Sequence, residues 1–128
     1  MGDSFLDCAR WQAMLEREGI PAADAYVGVL GKDDFAKRQG RLLVWLGTME
    51  GVRVSLREYS GEADADVAML LVIDAEAEQA LLTDGLAKIP LLVRRGKLLP
   101  YILMAMDKLE KVGLADFVED LGLVFPKH

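Results

Sequence analysis

Cysteine and histidine are almost missing from this chain: each occurs once, as Cys8 and His128. A lone cysteine cannot close a disulfide within the chain, and no Cys-x-x-Cys pair exists for dithiol or zinc chemistry. A single free thiol fits a reducing, cytoplasmic setting. One histidine, at the last position, leaves no material for a nucleophile–histidine–acid relay or a histidine-rich metal site. Long apolar runs are absent too. Val67 to Ile73 spans seven residues, where a membrane span needs about 20, and Met-Gly-Asp-Ser at the start has no basic region of a signal peptide. No membrane partner is expected. Positive charge is in deficit, with 15 Lys and Arg against 21 Asp and Glu and a net charge of -6. Such a chain repels phosphate backbones, so no nucleic-acid partner is expected. The one dense cationic cluster, Arg94, Arg95 and Lys97, reads as a solvated turn. No Gly-x-Gly-x-x-Gly and no P-loop occur, and Gly28 and Gly31 alone are too little for a nucleotide. The sequence requires no cofactor.

What is present suits a folded domain. Of the 128 residues, 52% are hydrophobic and 28% charged, enough apolar surface to offset the entropy of ordering. No repeat or linker interrupts the chain, so a single domain over residues 1–128 is expected. Helical spacing of Phe5, Leu6, Ala9, Trp11, Ala13, Met14 and Leu15 predicts a helix over Ser4 to Glu18, capped by Asp3 or Ser4 and stopped by Gly19 and Pro21. Cys8 falls on that helix among apolar neighbours and reads as buried and inert. Ala25 to Leu30 reads as a strand. Residues 33–49 read as a second helix carrying Phe35, Leu42, Trp45, Leu46 and Met49, despite the cost of Gly40 and Gly47 inside it. The alternative for residues 42–46 is a strand paired to the next through a turn at Thr48 to Gly51.

Two contrasting patterns follow. Val52 to Tyr59 alternates apolar and polar, the mark of a strand with one wet face, and Val67 to Ile73 is apolar throughout, the mark of a strand covered on both faces. A helix over Ala75 to Lys88 turns Ala77, Ala80, Leu81 and Leu82 inward and Glu76, Glu78 and Asp84 outward. Then come a strand at Pro90 to Val93, a helix from Leu99 to Val112, a short helix at Leu114 to Leu121 and a last strand at Leu123 to Phe125. The alternation predicts an α/β fold, an open and mostly parallel sheet of four or five strands with helices on both faces, flavodoxin-like in arrangement. A mixed sheet with a hairpin at 42–59, and a thioredoxin-like fold, are the alternatives.

In such sheets ligands bind beyond the carboxyl ends of the strands. That rule gathers Asp33, Asp34, Asp74, Arg94 and Arg95, with Ser60, Gly61 and Glu62, into one rim able to hold a divalent cation or a phosphorylated small molecule. Asp33, Asp34 and the strand Leu-Leu-Val-Ile-Asp ending at Asp74 resemble the acidic pocket of response-regulator receiver domains. That resemblance implies phosphoacceptor chemistry at Asp74. The chain departs from it where Arg94 replaces the small hydroxyl residue after the fourth strand, and in lacking the Lys-Pro pair. Asp74 also reads simply as the cap of the helix at Ala75. Val72-Ile73-Asp74, a helix, Ile89-Pro90 and Arg95-Gly96-Lys97 are similar to the C-terminal half of thioredoxin-like domains, whose proline is cis. Without the Cys-x-x-Cys segment that resemblance implies a redox-inactive assembly factor.

No catalytic set is visible. Leu99, Tyr101, Ile102, Leu103, Met104 and Met106 place apolar groups more than halfway round the expected 99–112 helix. The leading expectation is therefore a non-catalytic interaction or regulatory domain, a homo-oligomer or a subunit of a larger assembly. The second is a ligand- or metal-binding domain or enzyme working at the acidic rim.

Overall fold

The computed structural model describes residues 5–120. Eleven regular elements follow in order: α1 (Cys8–Glu18), β1 (Tyr26–Gly31), α2 (Lys32–Lys37), β2 (Gly40–Thr48), β3 (Gly51–Tyr59), β4 (Val67–Ile73), α3 (Ala75–Asp84), α4 (Ile89–Arg94), β5 (Leu98–Ile102), α5 (Met106–Val112) and α6 (Ala115–Asp120), with a 3₁₀ turn at Leu86–Lys88 before α4. The strands form one five-stranded sheet in the order β3-β2-β1-β4-β5. Only β1 and β4 run parallel; the other three pairings are antiparallel.

The α/β class stands, but the sheet is mixed and mainly antiparallel, not flavodoxin-like. The reason is the segment expected as a helix after residue 33. It makes one short helix, α2, and then turns into β2, which pairs with β3 as a hairpin. Gly40 and Gly47, costly in a helix, fall in the strand, and β-branched and aromatic Val44 and Trp45 suit it. The turn is tight: Thr48 Oγ1 donates to the Gly51 carbonyl at 2.6 Å and accepts from the Glu50 amide at 3.2 Å. Gly51 supplies the positive φ of +127°.

Two further expectations are corrected. Ile89–Arg94 is helical, with Pro90 in its first turn, where a missing N–H costs nothing. Leu98–Ile102 is a strand, not the start of a long helix, and only Met106–Val112 of that segment is helical. Every described peptide bond is trans. With helix where the thioredoxin-like resemblance needs a strand, that reading falls. α1 starts later than expected, at Cys8, where Asp7 accepts from the Ala9 and Arg10 amides; the expected caps Asp3 and Ser4 lie outside the described residues. The strand expected at Leu123 to Phe125 lies outside the described residues.

The two patterned strands are where the residues put them. β4 is buried along its length between β1 and β5, and β3 is an edge. The sheet is covered unequally. On one face Val27, Val29, Leu43, Trp45, Met69, Leu71 and Ile73 pack with Trp11, Met14, Leu15, Leu81, Ile89 and Leu109 into the main core. Trp11 stacks on Trp45 at 6.1 Å between ring centroids, and Phe117 meets Trp45 edge-on. On the other face Leu30, Leu42, Val44, Tyr59, Val67 and Leu70 form a smaller cluster, covered by Phe35 of α2, Tyr26 and Ala63.

Each edge of the sheet carries an obstacle to a further strand. Gln12 on α1 donates to the Val52 carbonyl at 2.7 Å and accepts from the Val54 amide at 3.2 Å, as a neighbouring backbone would. On the far side the Leu103 amide donates inward to Ala68. The alternation of a strand then turns Pro100 outward, where it has no N–H to offer.

Candidate functional site

Helix α2 is short, and each side of it faces an open cleft. The first lies beyond the carboxyl ends of β1 and β4, the one parallel pair, and has a volume of about 430 Å³. It is lined by Phe5, Gly31, Lys32, Asp33, Asp34, Lys37, Arg41, Ile73, Asp74 and Ala75. Asp33, Asp34 and Asp74 are thus brought together, as the rim rule expects, but Arg94 and Arg95 are not. Arg94 ends α4 and Arg95 caps it, because the strand expected before them is that helix.

Three of these six charged side chains are spent on local structure. Asp74 caps α3, accepting from the Ala77 amide at 2.8 Å, and Lys32 stands 3.9 Å from its other oxygen. Lys32 also donates to the Gly96 carbonyl at 2.9 Å. Asp34 accepts from the Arg41 amide at 3.2 Å, close beneath Gly40, whose φ of +150° lets the chain turn into β2. Among the described residues no three His, Cys, Asp or Glu side chains are placed to hold a metal ion. The receiver resemblance finds its three aspartates in one cleft, but on a mostly antiparallel sheet and with Asp34 tied to the β2 entry. Cys8 stands nearby. Burial, with Asp7 adding to it against the opposing pull of Arg41, pushes its thiol up, away from the reactive thiolate.

The second cleft lies over the thinly covered face and measures about 420 Å³. Val67 and Leu70 of β4 and Tyr59 of β3 give it buried lining, Phe35 of α2 and Tyr101 of β5 meet at 5.0 Å between ring centroids, and Leu103 and Met104 complete one wall. The loop of residues 60–66 forms the other wall with Gly61, Glu62, Ala63, Asp64 and Ala65. Of the expected contact residues, Tyr101, Leu103 and Met104 line this cleft. Leu99 and Met106 are exposed, and Ile102 packs against the main core. The three that share the cleft do so as strand and loop residues, not as one helix face, while Met106 begins α5. Ser60, Gly61 and Glu62, expected on the acidic rim, belong to this loop instead, where Gly61 and Glu62 line the second cleft; Ala63, Asp64 and Ala65 were missing from the sequence reading.

Arg57 ties that wall down. Its guanidinium lies 4.5 Å over the Tyr26 ring, bonds Asp66 through both terminal nitrogens at 2.8 and 3.0 Å, and reaches Asp64 at 3.0 Å. The hydrogen bond from Arg57 holds the Asp66 carboxyl below its ordinary value of 3.8. A depressed folded pKa gives stability that is complete above the unfolded value and fades as pH falls through the folded one. The pair is half exposed, so Asp66→Asn is expected to cost only about 0.5 kcal/mol at pH 7. Urea titrations should show that difference shrinking below pH 4; an unchanged difference at pH 2 would refute the linkage.

No family model matches the sequence, and no curated protein matches it significantly. Among solved structures, a conserved hypothetical protein of Thermus thermophilus, suggested to be a sterol carrier protein, is similar over 94% of this chain and 84% of its own, at 16% identity and a TM-score of 0.46. A likeness that slight carries no argument about function. No helix among the described residues is long and apolar enough to cross a membrane.

Proposed function

We propose that this chain is a non-catalytic binding domain that works through the second face of its sheet. One observation carries the reading. The apolar lining of the cleft reaches the surface at Tyr101 and Leu103, which are 38% and 47% accessible, and the alternation of β5 puts Leu99, 40% accessible, on the same face as Tyr101. Scattered single apolar residues are ordinary on a surface, but a contiguous patch around a concavity marks contact with something else. The polar cleft is the weaker choice, because Asp34, Asp74 and Lys32 already serve the backbone there.

Subunit assembly is compatible with the same face. With Gln12 on one edge and Pro100 on the other, sheet extension is disfavoured, so a second copy or a larger partner would also meet this surface.

The test is binding of an apolar fluorescent dye together with Tyr101→Lys and Leu103→Lys. Each is expected to weaken dye binding at least about fivefold, Leu103→Lys moving stability by no more than about 0.5 kcal/mol and Tyr101→Lys, which gives up its ring contact with Phe35, by about 1 kcal/mol. Undiminished dye binding by both variants would reject the face. Sedimentation equilibrium of the same proteins reports whether a second copy is the natural occupant.

A further inference from the structure

We propose that the second cleft takes a small amphipathic cation, an organic ammonium carried on an apolar body. The inference rests on the reading of that cleft as the working surface and adds the class of ligand.

The lining supplies the chemistry. The charged side chains of its lining are Glu62 and Asp64, both acidic and both on the 60–66 wall, with the Arg38 guanidinium close to Gly61 outside the lining. Asp64 is partly neutralised by Arg57, but Glu62 has no ion pair among the described residues. Facing them are the rings of Phe35, Tyr59 and Tyr101, with Val67, Leu70 and Leu103 completing the apolar lining. Aromatic rings attract cations electrostatically, and a carboxylate at the mouth adds to that attraction. The other cleft is different: there Lys32, Lys37 and Arg41 balance Asp33, Asp34 and Asp74, and no sign of charge is preferred. A net charge of -6 adds a long-range bias toward cations.

Size and edges narrow the occupant further. A volume of about 420 Å³ lies in the range of small-molecule sites. An extended peptide would need a free sheet edge to pair with, and Gln12 and Pro100 obstruct both.

The experiment compares two probes of one shape, benzyltrimethylammonium and its uncharged isostere neopentylbenzene, by amide chemical-shift titration of the full chain. The cation is expected to bind at least about fivefold tighter at low salt, shifting the amides of Glu62, Ala63 and Tyr101, and to lose that preference in concentrated salt. Glu62→Lys should abolish the preference while leaving the affinity for the isostere within about twofold, since an exposed side chain is changed. Equal binding of the two probes at these amides would overturn the cationic ligand and leave the apolar working face standing. Shifts confined to other amides, or no binding of either probe, would overturn both.

Discussion

Gly47→Ala is expected to destabilise the protein by about 3 kcal/mol, although alanine is ordinarily the better residue in a folded chain. Gly47 has an ordinary extended backbone, so the glycine is there for space and not for its φ. A Cβ added to it would meet the carbonyl oxygen of Pro21 at 1.9 Å and the carbonyl carbon at 2.8 Å, with Ile20 close by at 3.2 Å. The Pro21 atoms are backbone, in the segment that leaves α1 and crosses β2, and the Ala23 amide donates to the Gly47 carbonyl at 3.0 Å. Relief therefore requires moving the whole crossing. Gly31→Ala is the matched control. The nearest atoms to its Cβ would be those of the Phe5 ring, at 2.7 Å, a side chain and not backbone, and a loss nearer 1 kcal/mol is expected. Urea midpoints of the two variants check both values. A loss below about 1 kcal/mol for Gly47→Ala would contradict the crossing.

Gly47 also shows where sequence reasoning went astray. Within a helix it is a defect; within a strand it is a clearance for a neighbouring backbone, and only the tertiary neighbour distinguishes the two. The same holds for Leu99 to Met106. The run is apolar enough to satisfy a helical stripe, yet Pro100 in an edge strand and the break at residues 103–105 divide it. Local pattern could not see that β4 lacked a partner on that side. Where burial alone decides, the patterns were legible. The unbroken apolar run of β4 and the alternation of β3 gave their positions, because each reports directly how many faces meet water.

The candidate sites divide along the same line. Asp33, Asp34 and Asp74 could be gathered from the rule about strand ends, since β1 and β4 are indeed parallel neighbours. Of the two that serve the backbone, Asp34 at the β2 entry and Asp74 as a cap, only Asp74 could be foreseen. The second cleft was half visible, through Tyr101, Leu103 and Met104. Its other wall depends on the hairpin returning Tyr59 beside β2 and on Arg57 reaching Asp64 and Asp66, which no local signal encodes.

Glu78→Leu is expected to cost about 3 kcal/mol, because Glu78 is a buried anchor and not the outward residue its charge suggested. It is 4% exposed, and its Oε2 accepts from the Leu6 amide at 2.6 Å and from the Trp11 indole nitrogen at 2.8 Å. Its position was in the sequence: Ala77, Glu78, Leu81 and Leu82 form one inward stripe of α3. Both donors are buried, and Leu6 holds a φ of +57°, rare for a branched side chain. Leucine would remove the desolvation cost of the carboxylate but leave two N–H groups in the core without an acceptor. Replacing one member of a buried polar set is costly even where replacing the whole set is not. Glu78→Gln keeps an oxygen able to accept from both donors but loses the charge and turns the second oxygen into an N–H donor, so about 1 kcal/mol is expected. Urea unfolding followed by tryptophan emission measures both variants, and the emission of Trp11 should itself shift in Glu78→Leu alone. If leucine matched or exceeded glutamine in stability, the carboxylate would not be what seats α1 on the sheet.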